Sequence, residues 1–257
     1  MDTNKNQKPD TEAETASTAA MAMKAKNLLF ERRILFLCTC IVGASCLVWC
    51  IAVNTNGWFT VAAPDQQVGI FINETQRYFL HSKSGLFRIC RTAKRNATSR
   101  AIQMCRSHEM FPSDEKLRTD PSLDLTIINY TRTEMFFSVI SLLLMLMGFL
   151  FSIYTFKNPR YMFKRLAAGI HFLSCSSVMV VIEVVISSID YEKAHIPFVH
   201  PKTAIYYYGF SFWLGWIVFV FNLFASLSFL YYSKKRKGDK ALTEEMAMAD
   251  EPTIIGR

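Results

Sequence analysis

No phosphate-binding glycine loop, no nucleophile elbow and no HExxH helix occurs in this chain. Their absence removes the commonest nucleotide-, ester- and zinc-dependent chemistries. The seven cysteines and five histidines do not fall at zinc-ligand spacing either, so no metal and no cofactor is expected. Charge is scarce in four long apolar runs. Residues 34–53 and 135–156 carry none, 206–232 carries none but includes Asn222, and 166–189 holds only His171 and Glu183. Each run is long enough to cover roughly 30 Å as a helix, the thickness of a hydrocarbon core. The chain therefore reads as a membrane α-helical protein with four transmembrane helices. So few polar residues lie within them that a pore formed by this chain alone, a self-contained transporter or an enzyme is not expected. No cleavable leader is expected either, because residues 1–27 are polar and rich in Ala, Thr and Lys. The first helix is expected to serve as its own insertion signal.

What is present between the runs sets the orientation. Arg32 and Arg33 precede the first helix. Lys157, Arg160, Lys164 and Arg165 fill the link 157–165 without an acid, and Lys234, Lys235, Arg236 and Lys237 follow the fourth helix. Segment 190–205 is balanced, with Asp190, Glu192, Lys193 and Lys202. Positive flanks stay in the cytoplasm, so the tails 1–33 and 233–257 and the link 157–165 are expected inside, as in a multi-pass plasma-membrane protein. The formal charge of +8 is thus a topology signal and gives no support for nucleic-acid binding. Contact of the basic tails with anionic headgroups is a generic expectation.

Residues 54–134 then face outward. WFTVAA (58–63), QVGIFI (67–72), LFRIC (86–90) and LTIINYT (125–131) are rich in β-branched and aromatic residues. Turn-formers separate them, so a small antiparallel sheet resting on the bundle is expected. Cys90 and Cys105 are the cysteines outside the apolar runs. In an oxidising compartment they can pair, stabilising the sheet by roughly 3 kcal/mol on the loop-entropy account. Glycosylation sequons start at Asn73 and Asn96, and a third at Asn129 lies close to the second helix.

Trp58, then Gly85-Leu86-Phe87, Cys90 and Cys105 together resemble the W…GLW…C…C signature of the claudin superfamily. That superfamily includes claudins, peripheral myelin protein relatives, and the gamma-type and stargazin-like auxiliary subunits of calcium channels and receptors. Phe87 stands where the family has Trp, and the interval between the cysteines is longer than in typical claudins. GLFRIC is nearest the GLWRIC and GLWRTC runs of gamma-type subunits. Tyr208-Gly209-Phe210-Ser211-Phe212, at the head of the fourth helix, is similar to the Tyr-Gly-Trp-Ser-Phe of stargazin-like chains. The resemblance covers about residues 30–235. It implies a claudin-like sheet anchored on the bundle by Trp58, Leu86 and Phe87, with Gly85 supplying the turn into a strand.

Inside the membrane, Glu183 is expected to face the bundle and bond to Ser or Tyr groups of helix 1 or 4, with contact to a partner helix as the alternative. His171, about 18 Å away along the same helix, cannot partner it. Asn222 is expected to act as interhelical glue, and Gly148 with Ser152 forms a small-xxx-small pair serving either packing or assembly. Cys38, Cys40, Cys46, Cys50 and Cys175 read as small apolar packers, with Cys38 or Cys40 open to palmitoylation. Arg88, Arg91, Lys94, Arg95, Arg100 and Arg106 make a solvated rim or an electrostatic contact surface. The cluster YYYGFSFWLGW (206–216) suits either an interfacial belt or lateral helix binding.

The resemblance implies an auxiliary subunit that binds a pore-forming channel or receptor subunit and modulates its gating or trafficking. The alternative is a claudin-like adhesion or barrier protein that polymerises at cell junctions. The terminal Ile255-Gly256-Arg257 lacks the final hydrophobic residue that PDZ scaffolds capture, so scaffold anchoring through it is not expected.

Overall fold

The computed structural model describes residues 8–73, 76–96, 99–119, 124–195, 201 and 203–233. Helix α1 (Lys8–Asn54) leads into strands β1 (Phe59–Ala62), β2 (Ile70–Ile72), β3 (Arg77–Ser84), β4 (Arg88–Lys94) and β5 (Ile102–Ser107). A short α2 (Asp114–Thr119) precedes the helices α3 (Leu125–Lys157) and α4 (Tyr161–His195), then strand β6 (Ile205–Tyr208) and helix α5 (Phe210–Tyr231). Among the described residues, four segments have the length and apolarity to cross a membrane: Ala25–Asn54, Leu125–Lys157, Tyr161–His195 and Phe210–Tyr231. The basic run 234–237 and the remaining C-terminal tail lie outside the described residues.

Local chemistry sets the helix ends. Asp124 caps α3, its carboxylate accepting from the Thr126 amide at 2.7 Å. At the other end, Pro159 follows Asn158, whose backbone leaves the helical region, as residues ahead of proline do. Asn54 and Thr55 bond back to the carbonyls of Cys50 and Ile51 and close α1. LTIINYT (125–131), expected as a strand, is thus the first two turns of α3. The Asp124 cap and the apolar run that follows outweigh the β-branched composition.

The sheet runs β5-β4-β3-β1-β6, with β2 also on β3, and every pairing is antiparallel. Its last strand comes from the second loop: Tyr206–Tyr208, expected within the fourth helix, pairs with β1 through Phe59↔Tyr208 and Val61↔Tyr206. The strand expected at 67–72 shortens to β2, while β3 and β5 had no counterpart among the expected segments.

One apolar cluster runs unbroken from sheet to helices. Phe59, Val61, Phe79 and Leu86 from the sheet side join Trp49 of α1, Val178, Val181, Ile182 and Val185 of α4, and Val218 of α5. A second cluster, with Leu35, Cys38, Val42, Ala167, Ala225 and Phe229, fills the opposite end of the bundle. The sheet therefore has no separate core and is stable only as a cap on the helices.

Candidate functional site

The cap is fastened to the bundle where three chain segments cross. Trp58, 1% exposed, donates its indole N–H to the Ala52 carbonyl at 2.8 Å and packs edge-on against Trp49 with ring centroids 6.0 Å apart. Trp49 in turn donates to the Ser138 carbonyl of α3 at 3.1 Å. The Trp58 backbone bonds on both sides, its N–H to the Ser84 carbonyl at 3.0 Å and its C=O accepting from Gly209 at 2.9 Å. The segment Tyr208–Phe212 clamps the same point. The Ser211 amide donates to the Gly57 carbonyl at 3.0 Å, its hydroxyl meets that of Thr55 at 2.7 Å, and Tyr208 stacks on buried Phe212 at 4.2 Å.

Two glycines allow this crossing. A Cβ on Gly85 would lie 2.5 Å from the Thr55 carbonyl, and one on Gly209 would overlap the Gly57 carbonyl. Among the described residues only Gly69 is a glycine with positive φ. Gly85 stands in the β3–β4 turn, its N–H donating to the Arg88 carbonyl at 2.9 Å, and close backbone approach rather than a positive φ is what excludes a side chain there. Leu86 is fully buried beneath it, and Phe87 packs half-buried against the same cluster. Phe87 also accepts from the His108 amide at 3.0 Å.

Cys90 and Cys105 are bonded and lie directly opposite on β4 and β5. The Asn56 amide donates to the Cys90 sulfur at 3.2 Å and accepts from Arg88 at 2.9 Å, tying the staple to the end of α1. Strand β5 is exposed along its whole length, so the ladder and the disulfide are what hold it.

Beneath the sheet lies a cavity of about 20 Å³, room for about one water. Ser84, His108, Thr131, Glu134, Ser188 and Glu192 are among its lining residues. Burial pushes the His108 imidazole below its ordinary value, opposed by its contact with the Gly85 carbonyl at 3.3 Å. Glu134 falls in the stretch 54–134 expected as the outward loop, where a carboxylate is unremarkable, but it lies in α3. It is a buried side chain nine residues into α3. Also unanticipated is the buried ion pair between Lys164 of α4 and Glu31 of α1, 2.6 Å, at the opposite end of the bundle.

The polar residues of the membrane region separate into two groups. His171 is wholly buried, its Nε2 2.7 Å from the Ser152 hydroxyl, and its ring presses on Gly148. The small pair on α3 thus serves internal packing. Asn222 is also fully buried, donating to its own helix at Val218 (2.9 Å) and to the Met145 sulfur of α3 at 3.5 Å. Glu183 goes the other way. Val178, Val181, Ile182 and Val185 fill the inward face of α4 and leave Glu183 exposed on the outer face. No hydrogen bond or ion pair involves it among the described residues, so the expected bond to helix 1 or 4 is not formed. A lone carboxylate in hydrocarbon costs about 3 kcal/mol.

The expected arginine rim is uneven. Arg95, Arg100 and Arg106 are exposed, whereas Arg91 is half-buried and Lys94 donates to the Gln67 carbonyl at 2.7 Å. Asn73 and Asn96 are exposed in the turns after β2 and β4. Asn129 is exposed within α3, where it accepts from Arg132 at 3.4 Å. Tyr207, Phe210 and Trp213 of the aromatic cluster point outward.

Comparison with curated proteins gives no match. A family model described as PMP-22/EMP/MP20/Claudin tight junction matches residues 41–231. That stretch contains the Trp58 crossing, the disulfide and the membrane-spanning helices α3, α4 and α5, with the sheet-side half of α1's span. Four membrane helices under a disulfide-stapled sheet, with the family's pattern across most of the sequence, make this chain a member of the PMP-22/EMP/MP20/claudin family of multi-pass membrane proteins.

Proposed function

We propose that the protein is an auxiliary subunit of the gamma or stargazin-like kind, which docks beside a pore-forming channel or receptor subunit in the plasma membrane. In this reading both termini are cytoplasmic and the cap is extracellular. One observation carries the reading. The register Tyr78↔Lys94 and Ser84↔Ile89 puts the β2–β3 and β4–β5 turns at the same end of the sheet, remote from Gly85, and both turns carry exposed sequon asparagines, Asn73 and Asn96. Glycans on both would crowd the outermost end of the cap and oppose head-on packing against an apposed membrane. Lateral contact remains open, through the exposed aromatics of α5 and the flank of the cap. Modulation would equal the difference in contact energy between the partner's closed and open states.

The family's description names tight-junction proteins, and exposed Arg95, Arg100 and Arg106 would set ion preference in a paracellular route. These two observations favour a junctional adhesion or barrier protein as the second reading. Cross-linking in native membranes separates the two. A pore-forming subunit recovered in stoichiometric yield supports the auxiliary role. Recovery of this chain with only itself and junctional proteins, with continuous staining at cell contacts, supports the barrier role.

A further inference from the structure

Glu183 lies at a defined depth. The neighbouring Ile182 side chain packs 3.6 Å from the position of a Cβ on Gly215, five residues into α5. Glu183 is therefore about 7.5 Å below the sheet-side end of α5, at 1.5 Å per residue. Its side chain is exposed on the outer face of α4, within a helix long and apolar enough to cross a membrane. Along α4, Gly169, Ser176, Glu183 and Asp190 recur at seven-residue intervals, so they form one stripe on the outward side of the helix. A Cβ on Gly169 would meet nothing within 4 Å, so internal packing does not require the glycine. Ser176 returns its hydroxyl to the Phe172 carbonyl at 2.9 Å and presents little bulk outward. Small residues on such a stripe let a second helix approach closely, and the carboxylate gives that helix a chemical requirement.

We propose that this face of α4 is the seat of a partner membrane helix that presents a lysine or arginine at the level of Glu183. The proposal rests on the auxiliary-subunit reading and names the face and the chemistry of its partner. A carboxylate in hydrocarbon is stabilised by an opposite charge with a hydrogen-bond donor, and the described residues of this chain supply none there. A second copy docked through the same stripe would bring Glu183 against Glu183, which like-charge repulsion disfavours.

The test uses the purified full chain in phosphatidylcholine vesicles and two synthetic single-span polyleucine peptides. One peptide carries a single arginine at the depth of Glu183, and the other carries leucine there. Energy transfer between labelled chain and labelled peptide reads association. The arginine peptide is expected to associate at least about tenfold more tightly than the leucine peptide. Glu183→Leu should abolish that preference, and Glu183→Asp should retain part of it. Glu183 is exposed on the outer face of α4, so the variants should still form the Cys90–Cys105 bond, which serves as the folding control. Equal association of the two peptides overturns the proposal, and so does a preference that survives Glu183→Leu. Self-association of the chain that vanishes in Glu183→Leu also overturns it, in favour of a homomeric interface. If the peptides show no preference while a pore subunit still copurifies from native membranes, the auxiliary reading stands and docking uses another face. If the preference depends on Glu183 but native membranes give no partner, that reading fails and the face stands.

Discussion

Removing the disulfide should free one strand and leave the rest of the cap in place. In the variant carrying Cys90→Ala and Cys105→Ala together, no lone thiol remains to form a false pair. Strand β5 has no buried side chain and a single neighbour, β4, so it is held by one ladder and one covalent bond. A link across a sequence separation of 15 contributes about 3 kcal/mol on the loop-entropy account. At 1.36 kcal/mol per tenfold, the open population of β5 should rise by about a hundredfold. Trypsin reads that population, because cleavage after Arg106 requires the strand to leave the ladder and follows the open fraction when reclosing is fast. Arg77 and Lys83 provide the internal control, since β3 lies between β1 and β4 and keeps its ladders without the disulfide. The expected result is cleavage after Arg106 accelerated by about two orders of magnitude, with Arg77 and Lys83 nearly unchanged. Equal acceleration at all three sites would show that the disulfide holds the whole cap and would refute the reasoning, as would no change at Arg106.

Other substitutions test the fastening and the bundle. Trp58→Phe removes the donor to the Ala52 carbonyl and leaves that acceptor buried, so it should cost about 1–3 kcal/mol, read as a lower denaturation midpoint in detergent. Lys164→Met removes the ammonium from the buried Glu31 carboxylate and should cost about 3–5 kcal/mol, whereas Glu31→Met with Lys164→Met should recover most of it. The two midpoints compared with wild type decide whether the pair matters through its charge. Burial holds His108 below its ordinary value, so the unfolded cap binds a proton more readily than the folded one. Cap stability is then fully present above the unfolded value and falls as pH drops through about 6.5. His81 is shifted the same way by burial, with Lys83 adding to it, so His108→Gln combined with His81→Gln should reduce the loss of urea midpoint between pH 7.5 and pH 5.5 by more than either substitution alone.

The helical scaffold was legible because membrane thickness imposes a length that few other structures need. The cap was legible where a residue type has one strong use, as with Trp58, Cys90 and Cys105. Legibility failed where local composition and tertiary context disagreed. The β-branched run 125–131 became helix once Asp124 capped it, and Tyr206–Tyr208 became a strand because Phe59 and Val61 offered an unpaired edge. Strand β3, the hub of the sheet, was overlooked because RYFLHSKS has weak β composition and is held from both sides by its neighbours. Glu183 shows the limit at the site itself. A charge in an apolar run was plainly unusual, but which side of α4 it occupies depends on the valines that fill the inner face.

The central claim is that cap and bundle form one fastened body, joined where Gly57-Trp58, Gly85 and Gly209 cross. Amide hydrogen exchange at Trp58, Gly209 and Ser211 tests this most directly, because each of these N–H groups donates across the junction. The account predicts that in lipid nanodiscs all three are protected as strongly as amides in the middle of α4. Exchange at the rate of an unstructured loop would contradict it and would leave the sheet a tethered flap above the membrane.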